Sequence, residues 1–169
     1  MSDKEPWYMG ERAQNLAILA LTDHSDVSVI PRSDANIGVS ILANIRESGE
    51  SVGRLFGVDV RAMLSGDLRA LNLSLDKNSQ LHYRDVPFPV CLFLFTVDNG
   101  WGYWGWIHQP AFGADGTPLL LRNEGIALKE LDSAEVNNIV HAVTHWYDHR
   151  NHHSVGPEVG NKQLAGALV

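Results

Sequence analysis

The chain has 169 residues, of which 44% are hydrophobic and 20% are charged, values typical of one folded domain with a substantial core. Its 13 basic and 20 acidic residues give a net charge of -7, which argues against a protein that coats nucleic acid through a broad basic surface. The single cysteine, Cys91, excludes a disulfide framework and opens an apolar run, so we expect a buried thiol.

The beginning of the chain is polar and lacks the charged and then apolar pattern of a secretory signal. Nothing in the sequence approaches the roughly 18 apolar residues of a membrane-spanning helix. We therefore expect a cytoplasmic protein without a membrane partner. Residues 1–155 are predicted to form one domain, and residues 156–169 a flexible tail.

Hydrophobic periodicity predicts a helix and then three strands in the first part of the chain, over residues 11–23, 27–30, 37–45 and 53–63. The last two strands are joined by a turn-rich stretch around Gly49, which favours an antiparallel hairpin. Such a hairpin would bring Ser40 close to Asp59.

The second part of the chain is predicted to contain a short helix or irregular crossover, an aromatic hairpin and a final helix, over residues 64–75, 90–107 and 133–150. Asp98-Asn99-Gly100 is a strong signal for the tight turn of the hairpin. Ser133 is the predicted N-cap of the final helix, which follows a Gly- and Pro-rich connection.

The strand over residues 53–63 is the most informative segment for function. Successive strand side chains alternate between faces, so Asp59 and Arg61 point one way. Phe56 and Val58 then point the opposite way, into apolar surroundings. A carboxylate and a cation on one strand face can share a site.

The order of these elements resembles the core of the PD-(D/E)XK nuclease superfamily. It is more closely similar to domain-of-unknown-function family 4365, found in bacterial and archaeal defence-related proteins. The resemblance covers residues 11–108 and is carried by three segments: Gly10-Glu11-Arg12-Ala13-Gln14, Asp34-Ala35-Asn36-Ile37-Gly38-Val39-Ser40 and Tyr83-Arg84-Asp85-Val86-Pro87-Phe88-Pro89-Val90. It implies an α/β fold with a restriction-endonuclease-like core, in which helices flank a mixed, mostly antiparallel central sheet.

The resemblance also implies a nuclease site that uses Mg²⁺ or Mn²⁺ and acts on nucleic acid. The implied catalytic residues are Glu11, Ser40, Asp59 and Arg61, and the implied metal ligands are Glu11, Asp34 and Asp59. The family pattern has an aspartate in place of Ser40, a glutamate or glutamine in place of Asp59, and a lysine in place of Arg61. Because a hydroxyl is a poor ligand for a hard cation, this degenerate motif implies phosphodiester hydrolysis that is residual or lost.

The same residues also fit a purely structural interpretation. Glu11 in the first turn of a helix favours the helix dipole. Asp59 and Arg61 on one strand face form an ordinary ion pair, and Ser40 satisfies a local polar contact. The sequence leaves this interpretation open.

A catalytically inactive protein-binding or assembly module on the same fold is the competing function. Its contact surface would be the aromatic segment, with Trp101, Tyr103, Trp104 and Trp106. These rings could also stack on nucleobases, but no lysine or arginine is interleaved with them, so we favour packing in the core.

A second candidate site is a histidine stripe on the final helix. His141, His145 and His149 are four residues apart, so they share a helical face that could bind a transition metal. Asp148 would be the most convenient additional ligand. A solvated, partly packed stripe is the interpretation that we favour.

Overall fold

The chain folds as an α/β structure built on one mixed sheet. The computed structural model describes residues 6–30, 39–70, 83 and 85–154. In these ranges the elements are, in chain order, α1 (Trp7–Thr22), β1 (Val27–Ile30), β2 (Ile41–Glu47), β3 (Glu50–Met63), a 3-10 helix (Ser65–Ala70), β4 (Val90–Thr96), β5 (Trp101–Phe112), β6 (Pro118–Arg122), β7 (Lys129–Glu130) and α2 (Ser133–Ser154).

The seven described strands form one sheet in the order β1-β2-β3-β4-β5-β6, with β7 also paired to β5. Among these strands only β3 and β4 are parallel, and every other pair is antiparallel. A parallel pair needs a long crossover connection, which residues 64–89 supply. The predicted α/β class, with a mixed and mostly antiparallel sheet flanked by helices, is confirmed.

The β2–β3 hairpin closes through a two-residue turn. Ser48 and Gly49 have φ values of 51° and 83°, and this left-handed pair gives the turn geometry that matches the twist of antiparallel strands. The turn predicted around Gly49 is confirmed. The resulting register places Ile41 opposite Val58.

Both helices bury their apolar residues against the same face of the sheet. α1 contributes Met9, Ala13, Ala17 and Leu21, spaced four residues apart. These residues and three from α2 (Ile139, Val140 and Val143) belong to one hydrophobic cluster with Phe56 and Phe93 of the sheet. In the described part of the chain, neither helix is long and apolar enough to cross a membrane.

The opposite face of the sheet carries a smaller hydrophobic cluster, which contains Val39, Tyr83, Val90, Leu92, Ile107 and Ile126. Strand β4 belongs to both clusters, because Phe93 faces the helices and Leu92 faces away from them. All seven residues of β4 are buried, as expected for a strand covered on both sides.

Cys91 is the second residue of this doubly covered strand and is fully buried. Its thiol sulfur is 3.7 Å from the carbonyl oxygen of Gly57. Burial raises the pKa of the Cys91 thiol far above its ordinary value. The expectation of a buried thiol is confirmed.

The main differences from the predicted elements lie at element ends and in the connection before α2. α1 begins at Trp7 rather than at residue 11, and β6 and β7 were not predicted. The N-cap of α2 is Asp132 rather than Ser133, because the Asp132 carboxylate accepts the Glu135 N–H at 2.8 Å. The predicted short helix or crossover over residues 64–75 contains a 3-10 helix over Ser65–Ala70, and residues 71–75, like the tail, lie outside the described ranges.

Gly105 of β5 allows the segment after β6 to approach the strand, and replacing it should destabilise the fold. A Cβ on Gly105 would lie 2.3 Å from Ile126 Cγ2 and 2.9 Å from the Ala127 carbonyl oxygen. We expect Gly105→Ala to lower the free energy of unfolding by about 1–3 kcal/mol in urea denaturation. Gly10→Ala is the control, because a Cβ on Gly10 meets none of the described residues within 4 Å, and this substitution should stabilise α1 by about 0.5–1 kcal/mol. Equal effects of the two substitutions would contradict the close approach.

Candidate functional site

Three of the predicted catalytic residues, Ser40, Asp59 and Arg61, meet on the face of the sheet opposite to the helices. The Ser40 hydroxyl donates to Asp59 Oδ1 at 3.2 Å, and Arg61 Nε donates to Asp59 Oδ2 at 3.3 Å. Ser40 Oγ in turn accepts the backbone N–H of Val60 at 3.0 Å. Both carboxylate oxygens of Asp59 therefore have a donor. We call Ser40, Asp59 and Arg61 the polar cluster.

The register of the sheet explains why the polar cluster forms there. Asp59 lies opposite Leu92 of β4, and Leu92 belongs to the smaller hydrophobic cluster. Its neighbour Val58 lies opposite Cys91 and faces the helices. The predicted alternation of this strand and the predicted approach of Ser40 to Asp59 are both confirmed.

Tyr83 completes the surroundings of Asp59. Burial raises the pKa of the Tyr83 phenol, and the Asp59 carboxylate raises it further. The positive charge of Arg61 acts in the opposite direction and is the smaller influence. Tyr83 therefore stays a neutral hydroxyl beside the carboxylate. Tyr83 belongs to a segment that carries the family resemblance, but nothing in its spacing indicated this position.

His108 is a buried polar residue on the same face, and the sequence analysis did not identify it. Its side chain is 4% exposed and its ring lies 6.3 Å from the Tyr83 ring, centroid to centroid. Its Nδ1 is buried and has no hydrogen-bond partner among the described residues. In regular alternation His108 would lie on the same face of the sheet as Trp106. A bulge shifts the register, so that Val90 pairs with His108 but Cys91 pairs with Trp106, and His108 turns to the other face.

Glu11 lies apart from the polar cluster. It is exposed on α1 and follows Met9 by two residues, which turns it about 200° around the helix from the buried stripe. That stripe packs on the face of the sheet opposite to Asp59. Asp34, the other predicted metal ligand, falls outside the described residues.

The described residues do not fit the Mg²⁺ or Mn²⁺ site that the resemblance implies. Ser40 is neutral, and both oxygens of Asp59 accept hydrogen bonds within the polar cluster. Among the described residues no group of three or more His, Cys, Asp or Glu side chains is arranged to hold a metal ion. A metal site shared by Glu11 and Asp59 stays a prediction without support from their placement.

The histidine stripe lies along the outer part of α2. His141 and His145 are exposed, and His149 is partly buried. The rings of His145 and His149 are 4.3 Å apart, centroid to centroid, and lie 5.0 Å and 4.8 Å from the ring of Phe112. The two imidazoles thus pack against an aromatic side chain of β5.

Asp148, the predicted additional ligand of that stripe, is part of a contact between α2 and the sheet. Its Oδ1 accepts from Arg54 Nη2 at 2.5 Å, and Arg54 Nη1 lies 3.5 Å from Glu47. At the next residue of β3, the carbonyl oxygen of Leu55 accepts a hydrogen bond from the Tyr147 hydroxyl at 2.9 Å. These contacts hold α2 against β3.

The aromatic segment is divided between core and surface. Trp104 is 4% exposed and donates Nε1 to Glu135 at 2.9 Å, whereas Trp101 is 52% exposed at the start of β5. Trp106 is partly buried and contacts Trp104 edge to face, with ring centroids 5.4 Å apart. The expected packing role is thus confirmed for Trp104.

Comparisons with protein-family models, with curated proteins and with solved structures found no match to this chain. The resemblance to domain-of-unknown-function family 4365 therefore stays a prediction, carried by the three segments quoted above.

Acidification should destabilise the fold partly through His108. Burial lowers the pKa of His108 below its ordinary value of 6.5, and the positive charge of Arg122 lowers it further. The unfolded chain then takes up a proton that the folded chain does not, so this contribution to stability is complete above pH 6.5 and is lost as the pH falls.

We expect His108→Gln to flatten the fall in unfolding free energy between pH 7 and pH 5, by up to about 1.4 kcal/mol per pH unit. Urea denaturation at several pH values measures this slope. His141→Gln is the control, because that histidine is exposed. A slope unchanged by His108→Gln would show that folded and unfolded His108 bind protons alike.

Proposed function

We propose that this chain is a nuclease-like domain of a prokaryotic defence or nucleic-acid-processing system that has lost metal-dependent hydrolysis and acts by binding. The observation that carries the proposal is the hydrogen bonding of Asp59, whose oxygens are held by Ser40 and Arg61. A catalytic carboxylate needs oxygens available to a metal ion or to water. Here the hydroxyl and the guanidinium take that place.

The charge of the polar cluster supports the same proposal. The Asp59 side chain is 15% exposed and that of Arg61 34%, so their charges offset each other in a partly desolvated position. Because Arg61 is bound to the Asp59 carboxylate, its guanidinium is also less available to stabilise negative charge on an attacked phosphate. The cluster therefore suits structural support of the sheet better than phosphoryl chemistry.

The direct test is a cleavage assay with Mg²⁺ or Mn²⁺ on single-stranded DNA, duplex DNA and RNA. We expect the native chain and Asp59→Ala to give the same trace-level signal, because both oxygens of Asp59 are hydrogen-bonded within the polar cluster. The native chain should also remain folded, which circular dichroism can verify in the same samples. Manganese-dependent cleavage that disappears in Asp59→Ala would instead establish an active nuclease and reject the proposal.

A gain-of-binding variant tests whether the cluster occupies a nuclease-like position. Ser40 Oγ lies 3.2 Å from Asp59 Oδ1, so Ser40→Asp should place two carboxylates together and create Mn²⁺ affinity that calorimetry can detect. Ser40→Asn is the neutral control of the same size. The affinity should vanish when Ser40→Asp is combined with Asp59→Ala. If Ser40→Asp binds no more Mn²⁺ than Ser40→Asn, the likeness of this position to a nuclease centre is rejected.

Assembly with a protein partner is the second candidate function. It is favoured by exposed aromatic rings at two places, since Trp101 is 52% exposed and Trp7 and Tyr8 of α1 are 78% and 55% exposed. Exposed tryptophan and tyrosine are common anchors of protein interfaces. A protein that cosediments with the native chain but not with Trp101→Ala would favour this function over nucleic-acid binding.

A further inference from the structure

A recess of about 370 Å³ lies beside β5, between this strand and the segment that connects β6 to α2. Its principal lining residues are Trp104, Trp106, Gln109, Asn123, Ala127 and Lys129. We call it the β5 recess. Its volume falls within the range of small-molecule sites, about 300–1,000 Å³.

One wall of the β5 recess is aromatic and held in place. Trp104 is fixed by the hydrogen bond from its Nε1 to Glu135 and packs edge to face against Trp106 at 82°. Trp106 remains only partly buried. The partly buried indole of Trp106, which packs against the fixed Trp104, offers a flat ring a surface to stack on with little loss of side-chain entropy.

Two amide side chains line the same recess as Trp106. Asn123 Nδ2 donates to the Trp106 carbonyl oxygen at 3.1 Å and to Gln109 Oε1 at 3.3 Å, which orients both amides. The groups not used in these two bonds are an acceptor, Asn123 Oδ1, and a donor, Gln109 Nε2. A donor and an acceptor side by side match the polar edge of a nucleobase.

The positive charge that the aromatic segment lacks in sequence is supplied by β7. Lys129 pairs with Trp104 in the β5–β7 register, and its Nζ lies 5.8 Å from the Trp104 ring centroid. None of the described residues that line the recess is acidic. The recess therefore favours a neutral ring attached to a negatively charged group.

We infer that the β5 recess binds a nucleobase, which stacks on Trp106 and meets the amides of Gln109 and Asn123 while Lys129 contacts the adjoining phosphate. A free nucleotide and a single strand of nucleic acid both present this chemistry. Duplex DNA does not, because its bases are stacked and paired. The inference deepens the proposed binding function by naming its ligand class.

The recess and the polar cluster can be tested separately. Trp104 and Trp106 pack with the larger hydrophobic cluster, whereas Asp59 lies on the other face of the sheet. A cleavage result that overturns the proposed loss of hydrolysis therefore does not decide whether the β5 recess binds a base. Failure of base binding likewise does not decide whether hydrolysis is lost.

The first experiment measures binding of adenosine monophosphate by calorimetry and of a labelled single-stranded octanucleotide by fluorescence anisotropy. We expect both probes to bind the native chain, and Trp106→Leu to weaken both by about tenfold or more through loss of stacking. Trp101→Phe is the matched control on the same strand and should leave both affinities unchanged. An oligonucleotide that binds while the mononucleotide does not would identify single strands as the source of the base.

A second pair of variants keeps the test decisive if Trp106→Leu fails to fold, which thermal unfolding would reveal. Gln109→Leu removes the amide donor and should weaken both probes several-fold. Lys129→Gln should weaken the monophosphate but not adenosine, and should lower the salt dependence of octanucleotide binding by about one phosphate contact.

Four results would overturn the inference. The first is equal binding of an abasic octamer, and the second is equal binding of a duplex. The third is a loss of affinity in Trp101→Phe as large as in Trp106→Leu. The fourth is absence of binding by both probes, including the case in which a neutral oligosaccharide binds instead.

Discussion

The two-faced character of β3 is the constraint on which the rest of the structure depends. β3 is hydrogen-bonded on both edges, to β2 and to β4, and one of its faces is covered by α1. Phe56 and Val58 must face that helix to form the core, which leaves Asp59 and Arg61 on the other face. A slip of one residue would exchange the two sets and place a carboxylate under α1. The position of the polar cluster thus follows from core formation.

Because Asp59 is partly buried, its carboxylate needs hydrogen-bond donors from the protein. A carboxylate next to Leu92 loses much of its hydration, and nearby donors replace the lost water. Ser40 and Arg61 are those donors, and Tyr83 stays neutral beside them. The same contacts that make the carboxylate tolerable inside the protein reduce its capacity to bind an ion. Hydrogen bonding within the polar cluster and binding of an ion would use the same pair of carboxylate oxygens.

Local patterns in the sequence were sufficient to predict most of this framework, because alternation and helical spacing report which side of an element is buried. They placed Asp59 and Arg61 on one face correctly. They missed His108, whose orientation depends on a bulge, and Lys129, which reaches the recess through a strand of only two residues. The placement of Glu11 in a site came from the family resemblance alone, and the apolar stripe of α1 turns that residue outwards.

The burial of Cys91 gives the protein an internal reporter. The thiol is the only one in the chain and lies in a strand covered on both sides, where its ionisation is suppressed. Alkylating reagents react with the thiolate and need direct access to sulfur. Modification of Cys91 therefore requires the sheet to separate from the residues that cover its two faces. The rate of labelling then reports how often the whole fold opens, and it is insensitive to fraying of the chain ends.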